Sequence, residues 1–216
     1  MSLFNYRFTL PVIYPIFIDM GNRKALFIHG LHSDSGSTTG KNVSEILAGY
    51  GYETIIPTFD LLNCSETKER LEKLIHDEYI GLVVAHSLGG FYGYITLCGP
   101  TKILINPCLK PEIEIPKLMF EGEVFPEALK KEWEDLRNWK INLTDWEDRA
   151  TIHSIFAKDD DLFSYADYMR EQRFEYIYMI EGGHKPPKEA LAPVIDKALH
   201  TKVVDIPAMA IPGVTV

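Results

Sequence analysis

The sequence predicts an α/β fold: a doubly wound, mostly parallel sheet of at least six strands, carrying a helical, lid-like excursion. Three observations lead there. Six short apolar runs, rich in Ile, Val, Leu, Phe or Tyr, are bounded by Gly, Pro, Asn or charged residues, the pattern of strands buried on both faces. Helical stretches lie between most of them, and such alternation implies a parallel sheet covered by helices on both sides. At 216 residues the chain is long enough to enclose its core in one domain, 1–216.

The elements follow in order. Phe8 to Ile18 is apolar but interrupted by Pro11 and Pro15, with Asp19 behind it and no small-residue cleavage site. It is too short to span a bilayer and is expected to be an edge strand or hairpin. The strands are expected at Lys24–His29, Tyr52–Pro57, Ile80–His86, Lys102–Asn106, Thr151–Ala157 and Phe174–Ile180. Ser65–Tyr79 is the clearest helix, because Leu71, Leu74 and Ile75 follow the i, i+3, i+4 rule while charged residues cover the rest. Val43–Tyr50, Leu88–Leu97, Ser164–Gln172 and Lys188–His200 are the others.

Between Asn106 and Thr151 the alternation breaks. Pro126 opens a helix with Leu129, Trp133 and Leu136 on one face, and Trp139 and Trp146 follow. A long insertion at the carboxyl end of a strand, here Lys110–Arg149, is expected to form a lid over a site. The alternative is an excursion that buries its tryptophans in the core. Residues 203–216 lack periodicity and read as a loose tail.

Composition narrows the function classes. A formal charge of −9 makes a phosphate backbone an unfavourable partner. Cys64, Cys98 and Cys108 are odd in number and fit no metal spacing, so they read as reduced thiols of a cytoplasmic protein. No stretch reaches membrane-spanning length. The expected partner is a small molecule, with no nucleic acid or membrane; oligomeric state is not legible.

The chemistry-bearing residues sit at strand ends. The run from Ile80 to Ala85 is followed by His86-Ser87-Leu88-Gly89-Gly90 and then a helix. Strand, tight turn and helix form the elbow that presents a nucleophilic serine. Ser87 is therefore the candidate nucleophile, in a strained backbone conformation. The small Ala85 and Gly89 are expected to avoid a clash across the turn, and Gly90 to let the helix approach the sheet. The Leu88 N–H points at the same space and can stabilise an oxyanion. After the first strand, His29-Gly30-Leu31 turns back over the sheet, so the Leu31 N–H is the expected second donor.

The base and the acid must follow Ser87 in that fold order, acid before base. Among His153, His184 and His200, only His184 lies in a loop at the carboxyl end of a strand, after Glu181-Gly182-Gly183. The acid is expected after the preceding strand, in Asp159-Asp160-Asp161. Asp160, two residues before Leu162-Phe163, is the favoured one and Asp159 its rival. His86 points away from its neighbour in such a turn and is not read as the base.

Two decoys are set aside. His29, His32 and Asp34 lie on one loop without a fourth ligand, so no metal is expected. Gly36 to Asn42 has three residues between its glycines and no Ser or Thr after Lys41, so it does not make a phosphate loop. No cofactor is expected.

Several segments together resemble the YqiA-like esterases, small members of the α/β-hydrolase superfamily. They are Phe27-Ile28-His29-Gly30, His86-Ser87-Leu88-Gly89-Gly90-Phe91-Tyr92, Ile105-Asn106-Pro107-Cys108-Leu109-Lys110-Pro111, Asp160-Asp161-Leu162-Phe163-Ser164-Tyr165 and Glu181-Gly182-Gly183-His184. The Asn-Pro segment is the most family-specific. This chain departs from the family in having no Asn between the Gly pair and His184. The resemblance implies hydrolysis of carboxylic esters or thioesters in the cytoplasm, with nucleophile, acid and base at Ser87, Asp160 and His184. Phe91, Tyr92 and the tryptophans of the excursion are expected to shape the acyl pocket. The alternatives are a non-catalytic binding module on the same fold, or the same triad used for acyl transfer or C–C hydrolysis.

Overall fold

A computed structural model of the chain describes residues 23–96, 100–118, 124–143 and 151–201. The expectations for the N-terminal segment, Cys98, Trp146 and the tail lie outside these residues. The strands are β1 (Arg23–Ile28), β2 (Tyr52–Ile55), β3 (Leu82–His86), β4 (Thr101–Ile105), β5 (Ile152–Ala157) and β6 (Tyr176–Ile180). Each lies within two residues of an expected run. The helices are α1 (Thr38–Ala48), α2 (Cys64–Asp77), α3 (Leu88–Ile95), α4 (Pro111–Glu114), α5 (Glu127–Leu143), α6 (Ala166–Glu171) and α7 (Lys188–His200), with a 3-10 turn at Ile115–Leu118.

The six strands are ordered β2-β1-β3-β4-β5-β6, and every pairing is parallel. The chain runs outward from β1 to β2, then returns to place β3 on the other side of β1. At this reversal the loops after β1 and β3 diverge and leave a crevice at the carboxyl ends of the strands. The register sets Ile28 beside Ala85, so the segments that follow them start side by side.

Alternate residues serve two cores. Ala25, Phe27, Leu82, Val84, Ile103 and Ile105 pack with Val43 and Leu47 of α1 and Leu191 and Ile195 of α7. Leu26, Ile28, Val83, Ala85 and Leu104 pack on the other side with α2, α3, α5 and α6. With period 2 and both faces covered, each strand must be apolar throughout.

Helix α1 begins five residues before the expected Val43. The Ser37 hydroxyl accepts the Gly40 N–H at 3.2 Å, a cap that starts the helix inside the glycine-rich decoy. Within the excursion, Trp133 is fully buried against Phe125 and donates its indole N–H to the Tyr92 hydroxyl at 3.3 Å. Its α5 is thus part of the core on that face.

Candidate active site

β3 ends at His86 and α3 begins at Leu88, leaving Ser87 alone between strand and helix. Its backbone takes φ 57° and ψ −124°, a conformation that L-residues avoid. Such strain costs about 1–3 kcal/mol and survives only where the surroundings enforce it. Here the Ser87 N–H donates to the Ile105 carbonyl at 3.1 Å, and the Ser87 carbonyl accepts from Gly90 and Cys108 at 2.9 Å each.

Gly90 lets the helix approach the sheet as expected, but Ala85 and Gly89 do not face each other across the turn. A Cβ on Gly89 would lie 2.5 Å from the Ile28 carbonyl oxygen and closer still to that of His29. One on Gly90 would lie 2.6 Å from Pro107 Cβ. Ala85 faces Gly93, not Gly89: a Cβ there would approach it to 2.9 Å. The glycines therefore let α3 press against the ends of β1 and β4 and onto β3, and so set the height of Ser87 over the sheet.

The loop after β6 brings His184 to this point. Gly182 (φ 131°) and Gly183 (φ 64°) supply the left-handed turn it requires. His184 Nε2 lies 2.9 Å from Ser87 Oγ. On the far side of the ring, Nδ1 lies 3.0 Å from Asp160 Oδ2 and 3.2 Å from Oδ1. The Asp160 side chain is fully buried. Burial alone would raise its carboxyl, but the hydrogen bonds from His184 and from the Leu162 and Phe163 amides outweigh it and hold the group below the ordinary carboxylate value. The Phe163 ring packs against the imidazole in a T-shaped contact, 5.1 Å between centroids.

Asp159, the rival acid, does something else. Its Oδ1 accepts the Gly182 N–H at 2.9 Å, and the Gly183 and Gly182 amides lower its pKa. It ties down the histidine loop without touching the ring.

No protein-family model matches the sequence, and no curated protein matches it. Solved structures do. Est1E from Butyrivibrio proteoclasticus superposes with a TM-score of 0.58 at 12% identity, over 83% of this chain and 89% of its own. FphF, a fluorophosphonate-binding serine hydrolase of Staphylococcus aureus, gives 0.57 at 14% identity, over 86% and 85%. The alpha/beta hydrolase domain-containing protein 10 from mouse gives 0.56 at 16% identity, over 82% and 89%.

The chain has the α/β-hydrolase fold.

In this α/β-hydrolase fold a cavity of about 490 Å³ opens over Ser87 and His184, with Gly30 and Leu31 in its wall. Among the described residues, neither the Leu31 nor the Leu88 N–H donates to a protein acceptor. A Cβ on Gly30 would crowd the nucleophile, standing 3.0 Å from Ser87 Cβ and 3.4 Å from Oγ.

Two expectations are corrected. Phe91, Tyr92 and Trp133 are fully buried, and none lines the cavity. Trp139 instead borders a separate groove between α2 and α5. Phe91, Tyr92 and Trp133 turn to the core and Trp139 to that groove, so none of the four borders the cavity over Ser87. Leu31, Leu118 and Leu162 are the apolar side chains in the cavity wall.

His29 has both ring nitrogens engaged: Nε2 accepts the Phe59 N–H at 3.0 Å, which leaves Nδ1–H to donate to the Gly30 carbonyl at 2.8 Å. It anchors the Gly30–Leu31 turn. His153 is a buried strand residue stacked on Tyr176 at 4.5 Å, and His200 ends α7.

Two site residues escape sequence reasoning. His86 Nε2 donates to the His184 carbonyl at 2.8 Å, and burial pushes its imidazole down to about 4, so it stays neutral. Asn106, buried and at φ 42°, donates from Nδ2 to the Gly183 and His184 carbonyls at 3.0 and 3.1 Å. Its Oδ1 accepts the Ala157 N–H at 2.7 Å. The Asn-Pro pair after β4 was the visible trace of this residue, but nothing in the sequence said what it holds.

Proposed function

We propose that the chain is a serine hydrolase of YqiA-like type, cleaving carboxylic esters or thioesters in the cytoplasm. The observation that carries this reading is the continuous chain from Ser87 Oγ through the His184 imidazole to Asp160, with links of 2.9 and 3.0 Å. A serine hydroxyl is a weak nucleophile at neutral pH and needs a base in contact. His184 Nε2 takes the Oγ proton as Oγ attacks the carbonyl carbon. Asp160 holds Nδ1–H and stabilises the imidazolium.

The Leu31 and Leu88 amides donate to the oxyanion, each contributing about 2.7–4 kcal/mol. His184 then protonates the leaving alcohol or thiol, and the acyl group remains on Ser87. Water, deprotonated by His184 in turn, attacks this acyl-enzyme and releases the acid. Leu118, in the 3-10 turn at the start of the Lys110–Arg149 excursion, is read as part of the cover of this cavity.

The test is labelling with a fluorophosphonate, followed by peptide mapping. Modification is expected at Ser87 alone, and Ser87→Ala is expected to lower ester turnover by roughly 10⁴ or more. An unlabelled Ser87 in folded protein, or retained turnover in the variant, would overturn the reading in favour of a binding module.

A further inference from the structure

The cavity extends well beyond the atoms that the reaction uses. Away from Ser87, its wall is the loop Leu31–Ser37 and the first turn of α1. Ser37 caps that helix through its hydroxyl to Gly40, and its carbonyl accepts the Lys41 N–H at 2.9 Å. The Thr38 and Thr39 amides, which stand ahead of these bonds, have no acceptor among the described residues. They are the open donors of a helix start.

A second observation points to a ligand. Thr39 is 4% exposed and borders the cavity. Its hydroxyl has no hydrogen-bond partner among the described residues, yet it is not sealed from open space. The polar side chain of a residue this buried is ordinarily paired within the protein. The remaining charges complete the site. Lys185, on the same cavity, forms no ion pair among the described residues. Asp34 gives one carboxylate oxygen to the Gly36 N–H at 2.6 Å and leaves the other free among the described residues.

The mixture of donors and acceptors selects the occupant. An alkyl chain would desolvate the Thr38 and Thr39 amides and the Thr39 hydroxyl without replacing their hydrogen bonds. A carboxylate or phosphate would meet the Asp34 charge. An ammonium group would meet Lys185 and the positive end of the helix. A hydroxyl group both donates and accepts. Adjacent hydroxyls therefore satisfy the amides, Thr39 and Asp34 together.

We propose that this wall is a subsite for a hydroxylated group, of polyol or sugar kind, carried by the ester that Ser87 cleaves. The proposal rests on the serine hydrolase reading and names the substrate class of that site.

The test is steady-state kinetics on the full chain with glyceryl monoacetate, ethyl acetate, ethyl octanoate and monoethyl succinate. The kcat/KM for glyceryl monoacetate is expected to exceed that for ethyl acetate by about tenfold or more, with the other two lower still. Thr39→Val, which keeps the side-chain shape, is expected to reduce the glyceryl-to-ethyl ratio by about tenfold, and Thr39→Ser to restore most of it. Asp34→Asn offers a second variant on an exposed residue, expected to lower the same ratio.

Preference for the octanoate would make the wall an apolar site, and preference for the succinate an anion site. Either result overturns the proposal, as does an unchanged ratio in both variants. Ester turnover without glyceryl preference defeats the subsite alone. No turnover of any ester, with Ser87 unlabelled by fluorophosphonate, defeats the hydrolase reading beneath it.

Discussion

His86 donates its Nε2 proton to the backbone carbonyl of His184 at 2.8 Å. The residue before the candidate nucleophile thus grips the main chain of the candidate base. Asn106 donates to the same oxygen at 3.1 Å, so the ends of β3 and β4 both reach across to the loop after β6. The carbonyl is held from two sides while the ring above it spans Ser87 and Asp160. This grip acts on position only, since neither donor lies on the proton path.

His86→Phe removes one of the two donors and is expected to lower kcat by roughly ten- to a hundredfold, the scale of a misplaced reacting group, with KM nearly constant. His86→Gln, which retains an N–H donor, should recover much of the loss. Single-turnover kinetics with p-nitrophenyl acetate separates the two variants. Equal rates in wild type and His86→Phe would mean that the contact does not position the base.

Asp160 and Asp159 are separated by one substitution each. Asp160→Asn removes the negative partner of Nδ1 and is expected to lower kcat by roughly 10⁴. Asp159→Asn touches only the Gly182 and Gly183 amides of the loop and is expected to cost less than about tenfold. A larger loss at Asp159 than at Asp160 would reverse the assignment of the acid.

Gly89→Ala places a Cβ against the carbonyls at the end of β1. Backbone atoms cannot yield as a flexible side chain does, so the expected loss is at the upper end of overpacking, about 3 kcal/mol or more. Gly81→Ala meets nothing within 4 Å, and its φ is not in the left-handed region. It should be neutral or mildly stabilising, by under about 1 kcal/mol. Urea midpoints of the two variants check the contrast, and similar midpoints would contradict it.

Acid should weaken the fold before it reaches the carboxylates. Burial lowers His86 and His153 from 6.5 to about 4. Between these values the unfolded chain binds a proton at each site that the folded chain does not. Stability is therefore greatest above pH 6.5 and falls toward pH 4, by about 1.4 kcal/mol per pH unit for each histidine. Asp160 acts below this window, because its stabilisation is lost only as pH falls through its lowered pKa. Urea titrations from pH 7.5 to 4.5 should show the slope, and His153→Phe should remove about one proton's share of it. An unaltered slope in that variant would refute the contribution of His153.

Much of the fold was legible because it is written in local patterns. A strand buried on both faces must be apolar along its length, and all six runs became strands. The start of α1 was misplaced because the cap at Ser37 lay inside a glycine-rich stretch whose composition reads as loop. The elbow was legible because one turn of chain contains it. The reason for Gly89 was not, because the Ile28 and His29 carbonyls reach it from the end of another strand.

The sequence by itself determined the alternation of strands and helices, the strained serine between β3 and α3, and a short choice of partners for it at later strand ends. Each depends on residues adjacent in the chain, where periodicity and backbone sterics act directly. Only the tertiary structure put Asp160 on the His184 ring and Asp159 on the Gly182 amide, gave His86 and Asn106 their hold on the His184 carbonyl, and lined the cavity with threonine and serine instead of the aromatics. Those outcomes depend on which side chains the crossovers bring within hydrogen-bond reach. Contacts between residues some twenty to a hundred positions apart leave no period and no local signal in the chain.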